Sequence, residues 1–132
     1  MSKASNEFEN SLCEYFGQFG FWSSIFPKRH DGSQPADIIA LNRKGKHLID
    51  AKDCVSGRFV LNRMEDNQIH AMEWFAKKCG GNGWFAVKFP DDSVYIIPIE
   101  YLQRLHDEGI KSITTVPQTF SLENWINGNI DN

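Results

Sequence analysis

The sequence predicts an α/β fold: a single domain, residues 1–132, in which a mixed β-sheet is flanked by helices. Two observations carry this reading. Apolar residues recur at helical spacing near the N-terminus and again over residues 62–79. Short runs of strand character are joined by polar reversals at Asn42-Arg43-Lys44-Gly45 and at Pro90-Asp91-Asp92-Ser93. The resulting order is helix, three strands, helix, two strands, helix, which places helices on the faces of a sheet. A chain of 132 residues with 41% hydrophobic and 13% aromatic content is long and apolar enough for one core.

The first helix is expected over residues 6–17. Asn6 and Glu9 have capping-box spacing, and Phe8, Leu12, Tyr15, Phe16 and Phe19 form the apolar stripe. Glu9 has two readings: a cap or first-turn acid favoured by the helix dipole, or a carboxylate carried towards a site elsewhere. Gly17 and Gly20 break the helix, and residues 21–26 read as a first strand, aromatic-rich and mostly buried. Residues 27–35 form a loop whose Lys28, Arg29 and His30 make a compact basic cluster, an exposed loop or a grip on a phosphate backbone.

Residues 37–41 and 47–53 are the next two strands. If the turn pairs Asn42 with Gly45, Asp37 falls opposite Asp50, with Cβ atoms roughly 5 Å apart. Side chains two apart share a face, so Lys52 lies beside Asp50 while Ile49 and Ala51 face the other way. Two carboxylates at this spacing can share a hard cation such as Mg²⁺. A neighbouring ammonium can hold an attacking water or stabilise charge on a phosphate. The same residues also fit a plain structural reading: a strand start at Asp37 after Pro35, and surface pairing of Asp50 with Lys52 or Arg43.

Residues 59–61 read as a short strand. A second helix follows, capped by Asn62 with Glu65 three residues on and stopped by Gly80-Gly81. Ile69, Met72, Ala76 and Cys79 form its buried stripe, and Gln68 lies beside that stripe as a capping amide or as a group aimed at the site. Residues 84–89 and 94–98 form a second hairpin. Residues 99–108 form a helix, 113–116 an edge strand, and 121–127 a last helical turn.

The net charge of −3 does not advertise a nucleic-acid binder, but its distribution is uneven. Residues 28–63 carry eight Lys or Arg against four Asp, and residues 91–132 two basic against seven acidic. A basic surface around an acidic hairpin suits a phosphate-rich partner, and it equally describes a solvated surface. The odd count of three cysteines, without a C-x-x-C pair, fits a reducing cytoplasm and argues against structural zinc. No apolar run approaches the roughly 20 residues of a membrane span, and the N-terminus has no apolar signal core.

Pro35-Ala36-Asp37 followed by Asp50-Ala51-Lys52 resembles the PD-(D/E)xK nuclease superfamily of restriction-endonuclease-like folds. An alanine separates the proline from the first acid, and the second acid is Asp where Glu is commoner. Within the superfamily the chain is most similar to RecU-type Holliday-junction resolvases. The matching segments are IDAKD, FVLNRMEDNQIHAM, GGNGWFAVKF and VYIIPIEYL, within roughly residues 6–105.

The resemblance implies a metal-dependent, structure-selective DNA endonuclease that resolves four-way junctions by paired nicks in recombination, acting as a homodimer with Mg²⁺ or Mn²⁺. By position, Asp37 and Asp50 are the metal ligands, Lys52 positions the water and Gln68 assists. Glu9 matches the helix-1 acid of related archaeal resolvases, a third ligand. Lys28, Arg29, Arg43, Lys44, Lys46, Arg58 and Arg63 are the expected DNA contacts. The hairpin lacks the long stalk of bacterial relatives and fits a short, phage- or mobile-element-type version. The alternatives are a flap, fork or duplex nuclease of the same fold, or a non-catalytic DNA-binding module.

Overall fold

The computed structural model describes residues 3–131, with side chains from Glu7 onward. In chain order the elements are α1 (Lys3–Gln18), β1 (Trp22–Ile25), β2 (Ile38–Leu41), β3 (Lys46–Asp53), β4 (Phe59–Val60), α2 (Asp66–Cys79), β5 (Asn82–Lys88), β6 (Val94–Pro98), α3 (Ile99–Asp107), β7 (Ser112–Ile113) and α4 (Leu122–Asn129). Five strands form one sheet in the order β1-β2-β3-β5-β6. The β3–β5 pair is parallel and the other neighbours are antiparallel, so the sheet is mixed, as expected. β4 and β7 pair separately as a short ribbon.

Period-two alternation splits the core into two layers. Leu48, Phe85, Val87 and Ile97 point to one face of the sheet, where Met72 of α2 and Leu102 of α3 cover them. Ile49, Ala86 and Ile96 point to the other, under Phe8, Leu12 and Phe16 of α1 and Trp125 and Ile126 of α4. The parallel β3–β5 pair needs a crossover, and α2 supplies it. That helix lies flush on β5: a Cβ added at Gly83 would sit 2.4 Å from Met72 Cβ.

Several boundaries differ from the sequence reading, each for a local reason. α1 extends back to Lys3, so Asn6 falls inside it rather than at its cap. Residues 61–63 take a 3₁₀ turn and Met64 is extended, so α2 starts at Asp66 with Glu65, not Asn62, at its N-cap. The Gln68 side chain there accepts from the Glu65 N–H at 3.4 Å. β1 is not mostly buried as expected: it is one edge of the sheet, its residues are exposed or half-buried, and Trp22 is 63% exposed. The expected edge strand over 113–116 shrinks to β7, whereas the last helix runs two turns, with Ser121 Oγ accepting from the Asn124 N–H.

His47 shows how the α1–α4 layer is built. It is 1% exposed, caged by Phe21, Trp84 and Trp125, and its Nδ1 accepts from Trp84 Nε1 at 2.9 Å. Burial lowers its pKa from 6.5 to about 4. The unfolded chain therefore takes up a proton near pH 6.5 that the folded protein refuses until about pH 4. The folded state has its full stability above that window and loses up to about 3 kcal/mol as pH falls through it. Urea unfolding between pH 7.5 and 4.5, alongside an NMR titration of the His47 ring, checks this. A ring that titrates near 6.5 contradicts it.

Candidate active site

The β2–β3 hairpin adopts the register inferred from its turn. Ile38 pairs with Ile49 and Leu41 with Lys46. Asn42 N–H donates to Gly45 O at 3.1 Å, and at the other end Asp37 N–H donates to Ile49 O at 3.2 Å. Asp37 thus lies one step beyond the last ladder pair, where its amide reaches back to Ile49 and its carboxylate meets Asp50 at the same end of the hairpin. Asn42 is a sound turn residue because its Oδ1 accepts from the N–H groups of Lys44 and Gly45, both at 2.9 Å.

A cavity of about 310 Å³ opens at this end of the hairpin, and Glu9, Lys28, Asp37, Asp50, Lys52 and Gln68 are among the side chains that line it. Asp50 is 1% exposed, Glu9 2% and Asp37 8%. Each carboxylate is held by a different element. Asp37 Oδ2 accepts from the Ala51 N–H at 2.8 Å. Asp50 Oδ1 accepts from Gln68 Nε2, on α2, at 2.7 Å. Glu9 Oε2 on α1 pairs with the Lys28 ammonium at 3.0 Å, and that ammonium also hydrogen-bonds Asp37 Oδ1. Lys52 Nζ lies 3.0 Å from Asp50 Oδ2. It lies off the direction of a hydrogen bond, and this buried oxygen has no directed partner.

Crowding three carboxylates out of water has an electrostatic cost. Burial, reinforced by the Asp37 charge and opposed by Lys52, pushes Asp50 up to about 7. Burial and the Asp37 charge also raise Glu9, against the pull of Lys28. Burial disfavours the Lys28 charge, but its bonds to Asp37 and Glu9 outweigh that and leave its pKa raised.

The donor set suits a hard divalent cation: carboxylate oxygens, one of them buried without a directed partner. Among the described residues no three His, Cys, Asp or Glu side chains already close into a metal cage. Lys28 stands between two of the three acids.

The structure brings Glu9, Asp37, Asp50, Lys52 and Gln68 together and disperses the basic residues. Lys28 and Arg63 reach the cavity, and Arg29 is exposed on the same loop as Lys28. Arg63 bonds the Asp53 carbonyl at 3.4 Å, and Arg58 is exposed on the loop after β3. Arg43, Lys44 and Lys46 sit at the turn end of the hairpin. Lys44 Nζ there donates to Gly128 O and Lys46 Nζ to Cys79 O, tying the turn to α4 and α2. The pairing of Lys28 with two acids is the feature the sequence reading missed. It follows from the antiparallel β1–β2 register, which carries the chain after Ile25 back past Asp37.

A mixed sheet that opens at one end on two acids and a lysine, with an acid and an amide delivered from the helices of both faces, fits the PD-(D/E)xK nuclease superfamily. The family model described as archaeal Holliday junction resolvase (Hjc) matches residues 2–130. The chain belongs to that family, whose members are structure-selective endodeoxyribonucleases acting on branched DNA, generally with divalent metal ions. Among solved structures, the 1.6 Å structure of Hjc from Archaeoglobus fulgidus, a Holliday junction resolvase from an archaeal hyperthermophile, is similar with a TM-score of 0.61. The likeness covers 74% of this chain and 75% of that one at 20% identity, and what it establishes is the shared fold. No curated protein matches the chain at a significant level. Among the described residues no helix is long and apolar enough to cross a membrane.

Proposed function

We propose that this chain, as one nuclease-like domain over residues 1–132, resolves four-way DNA junctions in the cytoplasm by paired nicks. Two copies act as a homodimer, each with a site made of Asp37, Asp50 and Lys52 and assisted by Glu9 and Gln68. The observation that carries this reading is the meeting of Asp37 and Asp50 at one end of the hairpin, with the Lys52 ammonium 3.0 Å from Asp50. Asp37, Asp50 and Glu9 would hold Mg²⁺ or Mn²⁺. When bound, such an ion supplies Lewis-acid polarisation of the phosphate and a more acidic water.

The protein's own groups do the rest. Gln68 fixes the Asp50 carboxylate by its 2.7 Å hydrogen bond, and the Ala51 N–H fixes Asp37. Lys52 holds the attacking water for in-line displacement and offsets the charge that gathers on the phosphate oxygens. Lys28, Arg29, Arg58 and Arg63 would hold the backbone near the cleft, and Arg43, Lys44 and Lys46 a more distant stretch of it. The segments similar to RecU-type resolvases support a kinship with that group inside the same superfamily.

The test is cleavage of a labelled four-way junction beside a matched linear duplex, with Mg²⁺ or Mn²⁺ and with a chelator. We expect symmetric nicks in the junction, none in the duplex, and no cutting after chelation. Equal cutting of both substrates would remove junction selectivity and leave a duplex nuclease. Junction binding without cutting would leave a DNA-binding module.

A further inference from the structure

We propose that Lys28 is a displaceable counter-cation: its ammonium and a divalent metal ion compete for Glu9 and Asp37, and metal loading releases Lys28 to the mouth of the cleft. The inference rests on the reading of these acids as metal ligands and adds a role for a residue outside that set.

Four observations carry it. The Lys28 ammonium contacts Glu9 Oε2 at 3.0 Å and hydrogen-bonds Asp37 Oδ1, so one point charge serves two carboxylates from different elements. Those acids are 2% and 8% exposed, and two buried like charges need a cation between them. Lys28 itself comes from the irregular segment between β1 and β2, and its side chain is 28% exposed. It can therefore swing on its four-carbon stem without disturbing either core layer. Lys52, by contrast, projects from the centre of the sheet, is 12% exposed and, among the described residues, pairs with Asp50 alone. The two lysines of the site thus differ in kind: one is built into a strand, and the other is a tethered ion.

Competition has a reciprocal consequence. Whatever Lys28 gains by pairing with the acids must be given up when metal enters, so the wild-type protein binds metal more weakly than its carboxylates alone would. Once released, Lys28 joins Arg29 and His30, both exposed on the same loop, where a phosphate backbone would approach. Metal loading would then strengthen DNA binding partly through a protein side chain.

The experiment measures Mn²⁺ binding without DNA, from the signal of free Mn²⁺ at fixed ionic strength, for the full-length wild type, Lys28→Ala and Arg29→Ala. We expect Lys28→Ala to bind about tenfold more tightly than wild type and Arg29→Ala to stay within about twofold. Unchanged or weaker binding by Lys28→Ala overturns the proposal. Equal tightening by Arg29→Ala does too, since it would make the effect one of overall field rather than of occupancy. Absence of Mn²⁺ binding in all three would instead sink the metal-site reading beneath it. A second measurement needs only wild type: mild lysine acetylation read by mass spectrometry, with and without Ca²⁺. Lys28 should become several-fold more reactive with the metal while Lys46 does not, and a Lys28 rate indifferent to metal also overturns the proposal.

Discussion

Asp50→Asn is expected to reduce junction cleavage by about a thousandfold or more while raising the melting temperature of the metal-free protein. The two effects have one cause. Asp50 is 1% exposed, and burial together with the Asp37 charge pushes its pKa up to about 7 from the ordinary 3.8. At pH 8 the folded protein must carry that carboxylate ionised, and the Lys52 ammonium at 3.0 Å offsets only part of the cost. An amide of the same shape keeps the acceptor for Gln68 Nε2 and carries no charge. We expect a gain of about 1–2 kcal/mol at pH 8, or roughly 5 °C.

The sign of the pH dependence follows. A carboxyl whose pKa is raised by folding is tolerated fully below its unfolded value and weakens the fold as pH climbs through the folded one. The advantage of Asp50→Asn therefore shrinks to nothing by about pH 4. Thermal melts at pH 4 and pH 8 beside single-turnover cleavage check both halves. A variant less stable than wild type at pH 8 would mean that the Lys52 ion pair outweighs burial. One that cuts at the wild-type rate would remove Asp50 from the site.

Lys52→Ala is expected to lower the cleavage rate by about 10²–10³-fold with junction affinity changed by no more than a few-fold. Lys52 is nearly buried behind Asp50 on β3, so it contributes little to the outer surface that meets DNA. Its charge matters where the phosphate gains charge during reaction, and such an interaction shows in the rate of the bound complex rather than in binding. Single-turnover cleavage at saturating enzyme, compared with equilibrium junction binding in Ca²⁺, separates the two. A parallel loss of affinity would recast Lys52 as a ground-state phosphate contact.

How far the sequence reveals this arrangement varies from residue to residue. The hairpin was legible because its turn carries its own chemistry: once Asn42 and Gly45 are paired, counting outward fixes Ile38 against Ile49 and brings Asp37 to the end of the hairpin that holds Asp50. The start of α2 was less so. Asn62–Glu65 and Glu65–Gln68 both have cap spacing, and only the 3₁₀ turn over Leu61–Arg63 decides between them. Gln68 was ambiguous between a cap and an amide aimed at the hairpin acids, and both contacts occur: Oε1 accepts from the Glu65 N–H and Nε2 donates to Asp50. The edge position of β1 and the partnership of Lys28 were hidden for a shared reason: each depends on which strand β1 pairs with, and nothing local in residues 21–26 states that. The basic residues were legible as a cluster in sequence only, because the hairpin separates its turn from its open end by the length of β3.

The polar contacts of the site form a thread that passes through the whole molecule. It starts on α1 at Glu9, crosses by Lys28 to Asp37 just before β2, and resumes from Asp50 on β3 to Gln68 on α2. The two helices belong to opposite layers, with separate apolar cores. Neither layer alone can assemble the constellation, and a chain emerging during synthesis has no complete set until α2 has docked on the far face. An incompletely folded or partly unravelled copy is consequently not a loose nuclease. With the site proposed above, competence to cut would belong to the finished molecule, and the fold itself would act as the safeguard.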